Sequence, residues 1–88
     1  MEISVKRLSE EEITRRNIRQ WPIWQKEISK FDWYYTDTEE CLFLDGKVTI
    51  HFKGNVLDIG KGDFVTFPKG LECVWEVKKP VRKHYNFR

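Results

Sequence analysis

ECLFLDGKVTIHF, residues 40–52, decides how the chain is read. Two runs of alternating side chains flank Asp45-Gly46, and Asp-Gly between such runs is the strongest short-range signal for a hairpin. A two-residue loop there pairs Leu44 with Lys47, Phe43 with Val48, Cys41 with Ile50 and Glu39 with Phe52. Paired residues share a face. One face then carries Glu39, Cys41, Phe43, Val48, Ile50 and Phe52, and the other Leu42, Leu44, Lys47, Thr49 and His51. The first is the more apolar and is expected to point inward, which puts the Glu39 carboxylate at the mouth of an apolar interior. The second leaves Leu42 and Leu44 in need of a cover, either the N-terminal segment or another subunit. Pairing through this face predicts a homodimer.

The same rhythm continues toward the C-terminus. Gly54-Asn55 marks a turn into Val56–Ile59, Gly60-Lys61-Gly62-Asp63 a loop before Phe64–Phe67, and Pro68-Lys69-Gly70 a tight turn before Glu72–Val77. Lys78-Lys79-Pro80 reads as a last loop before Val81–Phe87. With that loop, Val77 pairs with Val81, Trp75 with Lys83 and Cys73 with Tyr85, so Lys83 points inward. A one-residue slip would aim Arg82 and His84 inward instead, but Val81, Tyr85 and Phe87 are the apolar set. Short strands at this spacing predict an all-β, closed or nearly closed antiparallel barrel or sandwich.

Before the strands lies one helix. Ser9 and Glu12 form a capping box, Leu8 and Ile13 are spaced for a hydrophobic staple, and Glu10 and Glu11 favour the helix N-terminus. The helix is expected over residues 10–19, outside the barrel, with Pro22 as its stop. One domain over residues 1–88 follows: an N-terminal strand/helix segment, 1–20, and a barrel, 21–88.

Composition narrows the function classes. Aromatics make up 15% of the 88 residues, which excludes a disordered tail. Sixteen basic and 14 acidic side chains nearly cancel, so neither a nucleic-acid arm nor an acidic tail is expected. No apolar run approaches a membrane span, and MEISVKRLSEEE has no signal-peptide core, so a cytoplasmic protein without a membrane partner is expected. The two cysteines, Cys41 and Cys73, form no CxxC pair and are expected as free thiols. The absence of alanine, with abundant Lys and Glu, hints at a heat-adapted source.

GDFVTFPKGLEC, residues 62–73, resembles the second motif of the cupins: a glycine, five residues, Pro-x-Gly, two residues, then a metal-binding histidine. Gly62, Pro68 and Gly70 fall at its spacing, and Cys73 stands at the histidine. Glu39, separated from Gly46 by six residues, matches the second half of the first motif, whose two histidine positions hold Trp33 and Tyr35. With WPIW at 21–24, FDWYY at 31–35 and PVRKHY at 80–85, the chain from Trp21 onward is similar to small single-domain cupins related to ureidoglycine aminohydrolase. The resemblance implies a jelly-roll barrel with a central pocket. It also implies a relation to a manganese enzyme that releases ammonia from ureidoglycine. Of the four positions at which that family holds its metal, here Trp33, Tyr35, Glu39 and Cys73, only Glu39 suits a hard cation.

The expected pocket comprises Trp33, Tyr35, Glu39, Cys41, Phe43, Ile50, Cys73, Trp75, Lys83 and Tyr85. Glu39 reads either as a general base or metal ligand, or as a carboxylate paired with Lys83 or bonded to Tyr35. Cys73 reads as a nucleophile or soft-metal ligand, or as a packed thiol; no histidine stands at a motif position to activate it. Cys41 is read as core. Trp33, Tyr35 and Trp75 serve either to stack a planar ligand or simply as core. His51 and His84 are expected on outward faces, and the basic run Lys78, Lys79, Arg82, Lys83 and Arg88 as a solvated hairpin. The favoured reading is a cupin that binds a small polar molecule with a planar part, without the standard metal site and with no cofactor. One alternative is an aminohydrolase-type enzyme with manganese or another divalent ion held weakly by Glu39, Cys73 and waters. The other is a nucleic-acid-binding small barrel.

Overall fold

The computed structural model describes residues 2–88. Its elements are β1 (Ser4–Lys6), α1 (Glu10–Arg15), a 3-10 turn (Ile18–Gln20), β2 (Ile23–Lys26), β3 (Ser29–Tyr34), β4 (Glu39–Phe52), β5 (Asn55–Gly60), β6 (Phe64–Phe67) and β7 (Glu72–Phe87). All strand pairs are antiparallel. No helix among the described residues is long and apolar enough to cross a membrane.

Two long strands organise everything else. β4 and β7 pair along nearly their whole lengths, from Glu39↔Phe87 to His51↔Val74. The first half of β4 also pairs with β6, which carries β1 on its other edge, while the second half pairs with β5. On the far side of β7, β2 takes the second half and β3 the first. Each long strand thus belongs to both halves of a folded-over sheet, and the result is a jelly-roll barrel.

This arrangement corrects two hairpins expected from the sequence. Asp45-Gly46 is not a hairpin turn: β4 runs straight through it, and the pairing with β7 shifts register between Phe43 and Val48. Lys78-Lys79-Pro80 is likewise no loop but the middle of β7, with Lys79 opposite Lys47. Irregularities here are bulges, which bend a strand and admit a proline that ladder pairing forbids. Gly46 has φ +101°, and a Cβ there would land on the Pro80 carbonyl and 2.7 Å from Val81 Cα. The glycine therefore serves close approach of the two strands rather than chain reversal. The reversal comes one turn later, at Lys53-Gly54, both with positive φ (47° and 76°), the signature of a type I′ hairpin joining Phe52 to Asn55.

The faces nonetheless fall as expected: Phe43 and Val48 are an odd number of positions apart, which in a regular strand would put them on opposite faces, and the register shifts between them bring both back inside. Cys41, Phe43, Val48 and Ile50 are buried in the interior with Val65, Phe67, Leu71, Trp75, Val77 and Val81. On the outside, Leu42 packs with Ile13, Ile18 and Phe64, and Leu8, Trp21 and Leu44 join them. The chain's own N-terminal segment is the cover that face required, so a homodimer would have to use another surface.

The helix begins as read: Ser9 Oγ accepts from the Glu12 amide at 3.1 Å. It ends earlier, at Arg15 rather than at Arg19. Asn17 takes the left-handed conformation (φ 59°) and the chain re-enters as the 3-10 turn, which drives Ile18 into full burial. His84 is also a correction. It faces away from the interior, yet it is buried, with Nδ1 3.0 Å from the Trp21 carbonyl. His51 stays part-exposed and pairs with Glu76 at 2.9 Å.

Candidate functional site

A cleft of about 190 Å³ opens into the barrel. Its walls are Trp24 from β2, Phe31 and Trp33 from β3, Tyr35 just beyond β3, and Trp75, Tyr85 and Phe87 from β7; Glu39 and Lys83 supply its charged groups. Alternation along β3 and β7 places 31, 33 and 35, and 83, 85 and 87, on one side each. The Pro68-Lys69-Gly70 turn pins Tyr35, whose amide donates to the Leu71 carbonyl (3.0 Å) and whose carbonyl accepts from the Gly70 amide (2.7 Å). Gly62 holds β4 in the same way, its amide donating to the Phe43 carbonyl at 2.8 Å. The motif glycines thus position the cleft from behind.

Lys83 is buried (3%) and its Nζ lies 3.0 Å from Glu39 Oε2. Four rings surround that ammonium, with centroids at 4.6 Å (Trp75), 4.9 Å (Trp24) and 5.8 Å (Phe43 and Phe67). A desolvated cation facing ring quadrupoles is held electrostatically, and the carboxylate completes the neutralisation. Trp75 is the hub of the walls: it stacks on Phe31 (6.1 Å, 14°), meets Trp24 edge-on (5.6 Å, 72°), and its indole N–H donates to Tyr35 Oη at 3.3 Å. Burial first, and the Glu39 charge second, raise the Tyr35 phenol far above its usual range.

Of the ten residues expected to line a pocket, Trp33, Tyr35, Glu39, Trp75, Lys83 and Tyr85 line this cleft. Cys41, Phe43 and Ile50 do not; they are sealed into the core beneath it, Cys41 with its Sγ 3.6 Å from the Val65 carbonyl and its thiol pushed well up by burial. Cys73 does not either. It lines a separate depression with Trp33, His51, Phe52 and Glu72, and burial, then Glu39, pushes its thiol up to about 11. Such a thiol is protonated near neutrality and is a poor nucleophile. Trp24, Phe31 and Phe87 escaped the sequence reading. Phe31 and Phe87 carried a signal, the alternation with Trp33 and with Tyr85. Trp24 carried none, since it enters only through its pairing with Lys83.

A divalent metal does not fit these residues. The Glu39 carboxylate is already paired with an ammonium through Oε2, the two histidine positions hold rings, Cys73 opens elsewhere, and no cluster of three or more ligating side chains forms among the described residues. The basic run is also dispersed: Lys83 points inside, Arg82 pairs with Asp45 (3.1 Å) and Arg88 with Glu40 (2.9 Å).

Comparison with known proteins agrees with this architecture. The family model described as EutQ-like cupin domain matches residues 14–85. A DUF861 family protein from Thermotoga maritima is 48% identical, with a TM-score of 0.96 over 99% of this chain and 100% of that one. The EutQ protein of Clostridium difficile (23% identity, TM-score 0.69) is covered over 52% of its length by 74% of this chain, so the chain spans about half of that relative. A cupin-2 domain containing protein from Shewanella frigidimarina has a TM-score of 0.63 at 20% identity, over 75% of this chain and 67% of that one. No curated protein matches.

Proposed function

The chain belongs to the EutQ-like cupin domain family, and on that premise we propose that it is a small-molecule-binding cupin whose polar anchor is the Lys83–Glu39 pair instead of a metal ion. One observation carries the reading: a desolvated ammonium and carboxylate, 3.0 Å apart, border a cleft otherwise walled by aromatic rings. Apolar walls with a few convergent polar groups are what a ligand site requires. The rings suit the flat part of a small molecule, and the pair suits its polar part.

An aminohydrolase of the ureidoglycine type is the alternative. It would need Glu39 to exchange Lys83 for a metal and Cys73 to turn into the same cleft. The packing of Lys83 among four rings opposes the first and the separate depression around Cys73 the second. The test is dialysis against manganese, zinc, nickel and iron, a chelator wash and elemental analysis, alongside a screen of flat polar fragments by ligand-observed NMR. We expect no stoichiometric metal, and fragments that compete for one site. A retained stoichiometric metal, or no fragment binding at that site, would overturn the proposal.

A further inference from the structure

We infer that the cleft takes an uncharged flat ring carrying a cis-amide edge, a lactam or cyclic imide, which donates its N–H to Glu39 and accepts from Lys83 through its C=O. This inference rests on the cleft reading above and adds the ligand class to it.

Charge comes first. The ammonium and the carboxylate cancel, so the polar part of the cleft is net neutral. An anionic ligand reaching Lys83 would meet Glu39 beside it, and a cationic one reaching Glu39 would meet Lys83. Both approaches put like charges together in a desolvated site. A cation also finds its aromatic cage already filled, because Lys83 Nζ lies 4.6 Å from the Trp75 and 4.9 Å from the Trp24 ring centroid.

Hydrogen bonding comes next. An ammonium has three donors and a carboxylate only acceptors. Only Oε2 of Glu39 is bonded to Lys83, and among the described residues no fully buried side-chain oxygen or nitrogen lacks a partner. Glu39 Oε1, which takes no bond from the described residues, is therefore open to the cleft that Glu39 lines. A ligand must offer a donor and an acceptor side by side. Open-chain secondary amides are trans, and their N–H and C=O point in opposite directions. A ring forces the amide cis and sets both groups on one edge. The same ring is flat, which suits a wall in which Phe31 and Trp75 lie 14° from parallel. A volume of about 190 Å³ holds on the order of six waters, the size of one small ring.

The test is isothermal titration of the full chain with three probes: 2-pyridone, N-methyl-2-pyridone and benzoate. We expect 2-pyridone to bind at one site. Methylation removes the donor and leaves Glu39 Oε1 covered without one, so N-methyl-2-pyridone should bind about ten-fold or more weakly. Benzoate should be weaker still. The double variant Glu39→Gln with Lys83→Met, which removes both charges together, should lose the preference for 2-pyridone, with circular dichroism reporting that it is folded. Equal binding of the two pyridones, or tighter binding of benzoate, would overturn the ligand class while leaving the cleft as a binding site. Binding by none of the three at that site would overturn both.

Discussion

The two faces of β4 solve the same problem differently. Outward, Leu42 is sealed by Ile13, Ile18 and Phe64, and Glu40 pairs with the exposed Arg88. Inward, Cys41 and Phe43 are packed as tightly, yet beside them Glu39 and Lys83 border an open cleft, with side chains only 6% and 4% exposed. A chain of 88 residues has little core to spare, and unfilled apolar volume costs stability. The outer face shows that this chain can close an apolar surface with its own N-terminal segment. The opening on the inner face is therefore the feature that function has to explain.

Breaking the buried pair should have the largest effect. Lys83→Met alone leaves Glu39 charged and unpartnered among rings and should cost about 3–5 kcal/mol in urea unfolding. Adding Glu39→Gln should recover part of that loss. If Lys83→Met alone is near neutral, the pair is wet and the two faces differ less than described. On the outer face, Ile18→Ala should cost about 3 kcal/mol by cavity formation. It should leave ligand binding in the cleft unchanged, which would show that the faces act independently.

Alkaline titration separates the faces in another way. Tyr35, Cys41 and Cys73 on the inner face all have raised values, from 10.0 for the phenol and 9.0 for the thiols. The unfolded chain sheds these protons first, so their contribution is full below about pH 9 and falls as pH rises further. The slope is about 1.4 kcal/mol per pH unit for each fully buried group. Unfolding midpoints measured from pH 7 to 11 should drop accordingly, and a flat profile would contradict the burial of these groups. The smallest effect belongs to the outer cap. Ser9→Ala removes the acceptor for the Glu12 amide and should cost about 1 kcal/mol, read as a lowered midpoint with an unaltered cleft.

What was legible in the sequence follows from the range of the forces involved. Side-chain alternation is local, so the inward set Glu39, Cys41, Phe43 and Lys83 could be read even though both hairpins used to derive it are absent. Capping at Ser9 is local too. Asp45-Gly46 misled because a glycine with positive φ serves a bulge as well as a turn, and only the approach of Pro80 distinguishes the two. Lys53-Gly54, the actual reversal, carries a weaker residue signal. Trp24 in the cleft and His84 under Trp21 depend on which strands become neighbours, and that lies beyond any local pattern.

The continuous pairing of β4 with β7 also governs how the chain reaches this state. Glu39 must find Phe87, so more than half the sequence has to be looped back before that ladder gains anything. Among the described residues, the antiparallel pair closed by a two-residue turn is β4 with β5, at Lys53-Gly54. That hairpin is the natural nucleus, and the barrel should condense onto it slowly, on the order of milliseconds to seconds. Substitutions at Val48 or Ile59, which face each other across this hairpin, should slow refolding, whereas changes in β2, which joins the far edge of β7, should mainly speed unfolding.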